Sequence, residues 1–448
     1  MAKKFAPEQF RSGFLIFQTP AVIEVGSEKE YNCISFKERD KKMKKPELLA
    51  PAGNLEKLKT AIDFGADAVY LGGKKFGLRA YAGNFSMEEL AEGVEYAHSR
   101  GKKVYVTLNI FPHNEDLEGL EDYIRELEAL GVDALLASDP GVIETIKQVS
   151  PEMEIHLSTQ ANCTNYKSAL FWHRIGVKRI VMARELSLKD YETVRQKLPE
   201  SCEIEAFVHG SMCVSYSGRC LLSNYMTGRD SNRGECTQPC RYKYYIVEEK
   251  RPGQYYNIEE DERGTYIMNS KDLCMIEHIP ELVRAGISSF KIEGRMKSIF
   301  YVASVVKAYR LAIDKYFEDT ENYRFDPKWM DYLIKPSHRP YTTGFYFGEG
   351  EKQYYESSKN IRNYDIVGVV KSYDSLRNLA RVEQRNKVYN GDMVEVLSPV
   401  GENKIVRLED MRNQGFEPID NAPNAQMTFY FKCSEHLNEG DLLIKQMS

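Results

Sequence analysis

EIEAFVHGSMC, Glu203 to Cys213, is the stretch whose reading decides the fold. Its first eight residues are apolar and β-branched enough for a buried strand, and Gly210 ends it where the backbone can turn tightly. The thiols begin where this strand stops. Cys213 and Cys220 are separated by six residues, Cys220 and Cys236 by fifteen, and Cys236 and Cys240 by three. Gly218, Gly228, Gly234 and Pro239 lie among them, so the loop can fold its sulfurs toward one point. Three chemistries are open to it. Free thiols acting as small hydrophobes need an apolar shelter that a polar, glycine-rich loop does not offer. Zinc favours two close cysteine pairs, and only Cys236 and Cys240 form one. An iron-sulfur cluster accepts wide and irregular spacings when a folded domain positions the thiolates.

Outward from this strand the chain repeats one pattern. Short apolar runs begin at Glu47 (ELLAPA), Ala68 (AVYLGG), Val104 (VYVTLN), Ala134 (ALLASD), Glu154 (EIHLSTQ), Arg179 (RIVMARE), Glu203 (EIEAFVHG) and Ser289 (SFKIEG). Amphipathic segments such as LEKLKTAIDFG and LEGLEDYIRELEALG separate them, several closed by a helix-ending glycine. Eight strand-helix units predict an α/β fold, a (β/α)8 TIM-like barrel, with the cysteine loop at the rim where active sites of that fold lie. A doubly wound open sheet is the alternative, but no Gly-x-Gly-x-x-Gly follows the first strand.

The predicted organisation is an N-terminal extension over 1–45, the barrel over 46–320, a connector over 321–360 and a small all-β barrel over 361–448. Within the barrel, the cysteine-rich loop spans 213–240 and a β-hairpin is inserted over 241–270, its arms RYKYYIVEE and GTYIMNS joined by RPGQYYNIEEDERG. After the hairpin, KDLCMIEHIPELVRAG predicts a helix from near Asp272 with Cys274 in its first turn, where the dipole would stabilise a thiolate. In the C-terminal part DIVGVVKSYD, LARVEQRN, DMVEVLSPV, NKIVRLED, AQMTFYFK and GDLLIKQ read as six short strands.

The 448 residues carry a formal charge of −5, which argues against a broad nonspecific nucleic-acid coat but leaves room for a local basic patch. Tyrosine, at 29 residues, supplies rings able to stack on unpaired bases. Nine cysteines, an odd number, favour metal or redox use over a disulfide framework, with Cys33, Cys163, Cys202 and Cys433 as ordinary thiols. No apolar run is long enough to span a bilayer, and the N-terminus lacks the order of a secretory signal, so the expected location is the cytoplasm with no membrane partner.

EAFVHGSMCVSYSGRCLLS (Glu205 to Ser223), PELLAPAGNLEKLKTAIDFGADAVYLG (Pro46 to Gly72) and FKIEGRMKS (Phe290 to Ser298) together resemble the collagenase-like peptidase family U32, in particular its tRNA-hydroxylating branch. The resemblance implies a barrel, a 4Fe-4S cluster and oxygen-independent hydroxylation of the wobble uridine to 5-hydroxyuridine, with prephenate as hydroxyl donor. It implies the anticodon loop of tRNA as substrate and, as a candidate partner, a shorter paralogous subunit. Five thiols are on offer for four positions. Relatives lacking a counterpart of Cys240 point to Cys213, Cys220, Cys236 and Cys274; another branch uses a pair spaced like Cys236 and Cys240, which keeps the fourth ligand open.

A dicarboxylate such as prephenate calls for guanidinium or ammonium groups. Arg79, Arg184, Lys291 and Arg295 lie at or just beyond predicted strand ends; the bland reading of each is a surface or capping charge. Asn109, Gln160, Asn162, Glu205, His209 and Glu293 complete the candidate pocket. His209 can hydrogen-bond the cluster or carry a proton, although a lone histidine so placed is more often structural. Glu205 interrupts an apolar strand and needs a partner, which Lys291 would supply without any catalytic role. Together, Glu205, His209, Lys291 and Glu293 are the catalytic candidates, and Arg79, Asn109, Gln160, Asn162, Arg184 and Arg295 the substrate-binding ones. The competing readings are a peptidase, for which neither His-Glu-x-x-His nor a Ser/His/Asp pattern stands in the chain, a hydroxylase of ribosomal RNA or a quinone precursor, and a non-catalytic RNA-binding protein.

Overall fold

The apolar runs become strands in the order expected. They are β1 (Glu47–Pro51), β2 (Ala68–Leu71), β3 (Lys103–Leu108), β4 (Ala134–Ala137), β5 (Glu154–Leu157), β6 (Arg179–Val181) and β7 (Glu203–Ser211). A hairpin of β8 (Tyr245–Val247) and β9 (Tyr255–Asn257), then β10 (Asp272–Cys274), precede β11 (Ser289–Ile292). Strands β1 to β6 each pair in parallel with the next, and β11 pairs in parallel with both β7 and β1, which closes an eight-stranded barrel. The computed structural model describes residues 44–77, 84–212, 216, 220–241, 245–247, 255–257, 271–348 and 360–447.

The period-two alternation of each strand sorts side chains to the two faces of the wall. Leu49, Ala68, Tyr70, Tyr105, Ala134 and Leu136 form a separate inner cluster. Leu48, Ala50, Val69, Leu71, Val104 and Val106 point the other way into a larger core shared with the helices. Each fully buried leucine there contributes roughly 1.5–3 kcal/mol. The helices start on side-chain caps: Asn54 accepts from the Lys57 amide, and Ser86 and Glu89 form a reciprocal capping box at Met87–His98. Such caps are worth about 1 kcal/mol each.

Four readings are corrected. The segment carrying Cys274 is a strand, not a helix: β10 runs antiparallel to β7, with Cys274 opposite His209 and Asp272 opposite Ser211. Backbone pairing offered by an existing strand has overridden local propensity there. In the hairpin the second arm is Tyr255–Asn257, inside the stretch read as a turn; its two adjacent tyrosines are good strand formers, and GTYIMNS lies outside the described residues. The connector is structured too. It contains the helix Lys328–Ile334, with Trp329 and Leu333 buried, and β12 (Tyr341–Thr342), which pairs in parallel with β10. Finally NKIVRLED holds two strands, Lys404–Arg407 and Glu409–Arg412, so the C-terminal sheet has seven strands rather than six.

That all-β domain has its own core around Val370, Val382, Phe429 and Phe431, while Val369, Leu397, Leu442 and Ile444 join the barrel's core. The long helix Ile299–Glu318 sends the buried Lys307 ammonium to the carbonyls of Ser398 and Gly401 at 2.7 and 2.9 Å. Three acceptors, with Asn403 Oδ1 as the third, replace the water this lysine gives up. No helix among the described residues is long and apolar enough to cross a membrane.

Candidate active site at the barrel rim

Because β7 is nine residues long, its ends belong to different environments. Glu205, third in the strand, is fully buried near the barrel's N-terminal end, away from the rim pocket in which the sequence reading included it. Its carboxylate meets Lys291 Nζ at 2.6 Å and Arg179 Nη1 at 3.3 Å. Arg179 also reaches Glu47 at 2.5 Å and Glu203 at 2.7 Å, and the Tyr105 hydroxyl donates to Glu47 at 2.6 Å. Burial pushes the Glu205 carboxyl up, but Lys291 and Arg179 outweigh it and hold the group below its ordinary value. For Lys291 burial dominates over the attraction of Glu205, and its pKa is lowered. The pair is tied into a hydrogen-bonded network, and Glu205 has the partner that a buried carboxylate requires.

Four residues farther along β7, His209 occupies the C-terminal half. The ring is buried among Tyr301, Tyr309 and Tyr341, with centroids 5.9, 5.6 and 5.3 Å away. Burial, with Lys297 and His338 adding repulsion, pushes its pKa down to about 3, so the imidazole is neutral at pH 7. Its Nδ1 lies 3.5 Å from the Tyr309 hydroxyl, while Nε2 is buried with no hydrogen-bond partner among the described residues. The next residue, Gly210, has φ +110°, and a Cβ there would stand 2.6 Å from the Glu293 carbonyl. This glycine lets β7 end tightly against the loop after β11. Across that contact the Glu293 amide donates to the His209 carbonyl at 2.8 Å.

Arg295 is buried over Gly72, where any Cβ would sit 2.3 Å from Nη2. Asn84 Oδ1 accepts from Nη2 at 2.8 Å and Thr107 Oγ1 from Nη1 at 3.4 Å, so the loop after β2 and the C-terminal part of β3 fix one guanidinium. Arg184 spans the Phe207 ring at 4.0 Å and donates to the Ser211 carbonyl at 2.9 Å. Asn109 donates to Ser158 Oγ at 3.1 Å. Gln160 lies in the short turn Thr159–Ala161, and Asn162 follows it with φ +53°, a conformation asparagine tolerates. Gln160 Oε1 and Asn162 Oδ1 are buried without a hydrogen-bond donor among the described residues. An acceptor left in that state costs about 1–3 kcal/mol, which a bound donor would recover.

The cysteine loop is tied to this rim, since the Asn232 carbonyl accepts from the Phe111 amide at 3.1 Å, two residues past Asn109. Cys220, Cys236, Cys240 and Cys274 form no disulfide among the described residues; the first three are half-buried and the last is buried. Cys236 Sγ accepts from the Gln238 amide at 3.4 Å. Burial pushes the Cys274 thiol up to about 12, against weaker pulls downward from its hydrogen bonds. These soft donors suit an iron-sulfur cluster in kind, and no group of three metal-ligating side chains gathers among the described residues. Cys213 and Arg79 lie outside the described residues.

The profile of peptidase family U32 matches residues 53–356, and that of the family's C-terminal domain matches residues 362–443. The chain belongs to peptidase family U32. Its curated relatives include tRNA hydroxylation protein P1 of Bacillus subtilis, 44% identical over 90% of this chain and 95% of that protein. Another, tRNA hydroxylation protein P of Escherichia coli, is 38% identical over 88% of this chain and 95% of its own length. The shorter tRNA hydroxylation protein P2 of Bacillus subtilis is 37% identical over 68% of this chain and 99% of that protein. The U32 match thus takes in the cysteine loop, the β7 strand and the Arg295 loop together.

Sequence reasoning missed several parts of this U32 site. Tyr301, Tyr309 and Tyr341, which enclose His209, come from a long helix and from the segment read as a connector. Asn84 and Thr107, which fix Arg295, carry no motif of their own. The Arg179 hub had one visible signal, a charge at the first position of an otherwise apolar strand, matched by Glu47 and Glu203 at the starts of theirs.

Proposed function

We propose that the chain is an RNA-modifying enzyme that hydroxylates C5 of the wobble uridine in tRNA without molecular oxygen, drawing the hydroxyl group from prephenate. The observation that carries this reading is the near full-length match to relatives named for tRNA hydroxylation, with the cysteine loop fastened across the barrel's C-terminal rim. Replacing C–H by C–OH removes two electrons from the base, so the hydroxyl donor must leave reduced. Cys213, Cys220, Cys236 and Cys274 would hold a 4Fe-4S cluster, which supplies a centre able to polarise the donor or pass electrons. Binding at Cys274 requires its proton to leave, so cluster loading is pH-dependent. Arg184 and Arg295 provide cationic groups for a dicarboxylate, and Gln160 and Asn162 present acceptors for donors on substrate. His209, neutral at physiological pH, acts as a hydrogen-bonding group rather than a cation.

The test is mass spectrometry of tRNA nucleosides from cells lacking the gene, grown without oxygen so that an oxygen-dependent enzyme cannot compensate. Loss of 5-hydroxyuridine and its derivatives is expected; an unchanged level rejects the reading. Protein purified anaerobically should carry about four irons and four sulfides per chain. Cys220→Ser and Cys236→Ser should lose most of that iron, whereas full iron in both removes the loop from the cluster.

A further inference from the structure

We propose that the outer sheet face of the C-terminal domain, centred on Tyr430 and Phe416, is a stacking platform for unpaired bases of the RNA substrate. This rests on the RNA-modifying reading above and adds a second contact region to it.

The strand Thr428–Lys432 alternates strictly: Phe429 and Phe431 are fully buried, while Thr428, Tyr430 and Lys432 face the other way. Phe416, 47% exposed, lies over Tyr430 with ring centroids 4.7 Å apart and planes 25° from parallel. It reaches that position at a conformational cost. Its φ is +64°, in the left-handed region that a bulky side chain rarely adopts. Gly415, immediately before it, would have been the inexpensive residue for such a bend. The turn is pinned nonetheless. Asn413 Oδ1 accepts from the Gly415 and Glu417 amides at 2.9 and 3.0 Å, and Arg412 Nη1 donates to the Phe416 carbonyl at 3.1 Å. A strained, rigidly held aromatic ring therefore sits half in water, where it buries little apolar surface of its own fold.

The charges around the pair are arranged to suit a phosphodiester. Asp410 is neutralised by Arg412 and Lys432 at 2.9 and 3.2 Å, and Glu383 by Arg385 and Lys371 at 2.6 and 3.4 Å. Arg381 is the register partner of Tyr430 on the neighbouring strand, is exposed, and its side chain makes no hydrogen bond or ion pair among the described residues. Two stacked rings beside an unpaired guanidinium form the kind of surface that single-stranded nucleic acid occupies, one base extending the ring stack and a phosphate meeting the cation. A protein partner would instead call for a wider apolar face, and Thr428 and Glu383 interrupt this one.

The test uses the full chain and fluorescence anisotropy with unmodified tRNA and with its isolated anticodon stem-loop. Base-aromatic stacking of about 1–3 kcal/mol per base predicts that Phe416→Gly and Tyr430→Leu weaken binding of unmodified tRNA by roughly 5- to 150-fold. Phe416→Gly should leave the melting temperature unchanged or raised, because it also relieves the left-handed strain. Arg381→Ala should flatten the dependence of log affinity on log salt by about 0.7, one phosphate contact fewer. A wild-type chain that binds tRNA while both aromatic variants bind within twofold of it overturns the platform and leaves the hydroxylase reading intact. Wild-type protein with no affinity for tRNA overturns both. Unchanged RNA affinity with lost association to a shorter paralogous subunit would assign the face to protein instead, and also overturns the proposal.

Discussion

At the N-terminal end of the barrel, Arg179, Glu205 and Lys291 are buried and joined by contacts of 2.6 to 3.3 Å. At the C-terminal end Gln160 Oε1, Asn162 Oδ1 and His209 Nε2 are equally shielded and have no hydrogen-bond partner among the described residues. One closed sheet supports both. Paired charges at one end hold the wall in register, and buried acceptors at the other remain available to a hydrogen-bond donor. The difference teaches that burial of a polar group is not a sign of function until its partners have been accounted for.

The strongest test of this contrast is Glu205→Ala. It leaves the buried Lys291 without its carboxylate, while Arg179 keeps Glu47 and Glu203, and should cost about 3–5 kcal/mol in urea unfolding. Pairing it with Lys291→Met should recover much of the loss, and a cost below about 1 kcal/mol would show that water replaces the carboxylate. Next in size is a pH effect at His209. Its folded pKa is about 3, against roughly 6.5 in the unfolded chain, so on acidification the unfolded state takes up the proton first. Stability from this group is therefore intact above about pH 6.5 and lost as pH falls from there toward 3, by about 2 kcal/mol at pH 5. The acid-side slope of stability should shrink by that amount in His209→Phe, and an unchanged slope would mean the ring is protonated in the fold. The smallest effect on stability belongs to Gln160→Ala and to Asn162→Gly, glycine being the residue that accepts the left-handed backbone at that position. Removing an acceptor that has no donor should cost under about 0.5 kcal/mol, or even stabilise, while slowing tRNA hydroxylation about tenfold. Variants that lose stability and keep their rate would place these amides with the paired end of the barrel.

The eight barrel strands were legible because each is a short apolar run set off by amphipathic segments, several closed by a helix-ending glycine, a signal that survives without any tertiary information. The Glu205–Lys291 pairing was legible for a different reason: a carboxylate inside an apolar strand has few ways to be tolerated. The Arg179 hub was not, because Glu47 and Arg179 come together only when the sheet closes, and each alone looks like an ordinary strand flank. Cys274 shows the same limit. KDLCMIEHIPELVRAG reads as one helix, and its first residues become a strand only because β7 offers them a free edge. At the rim, the loop after β7 was placed by topology alone, whereas the tyrosines around His209 arrive from segments with no chemical motif to announce them.

The antiparallel pairing of β10 with β7 means that the chain leaves the barrel at Ser211 and re-enters at Asp272, directly alongside. The excursion between those points is stitched shut at its neck. Insertions or deletions within it change only a slowly growing closure entropy and leave the register of the wall alone. Such a stem is a natural graft point: it lets the cysteine-bearing excursion diverge in length and contour while the cylinder beneath keeps folding as before.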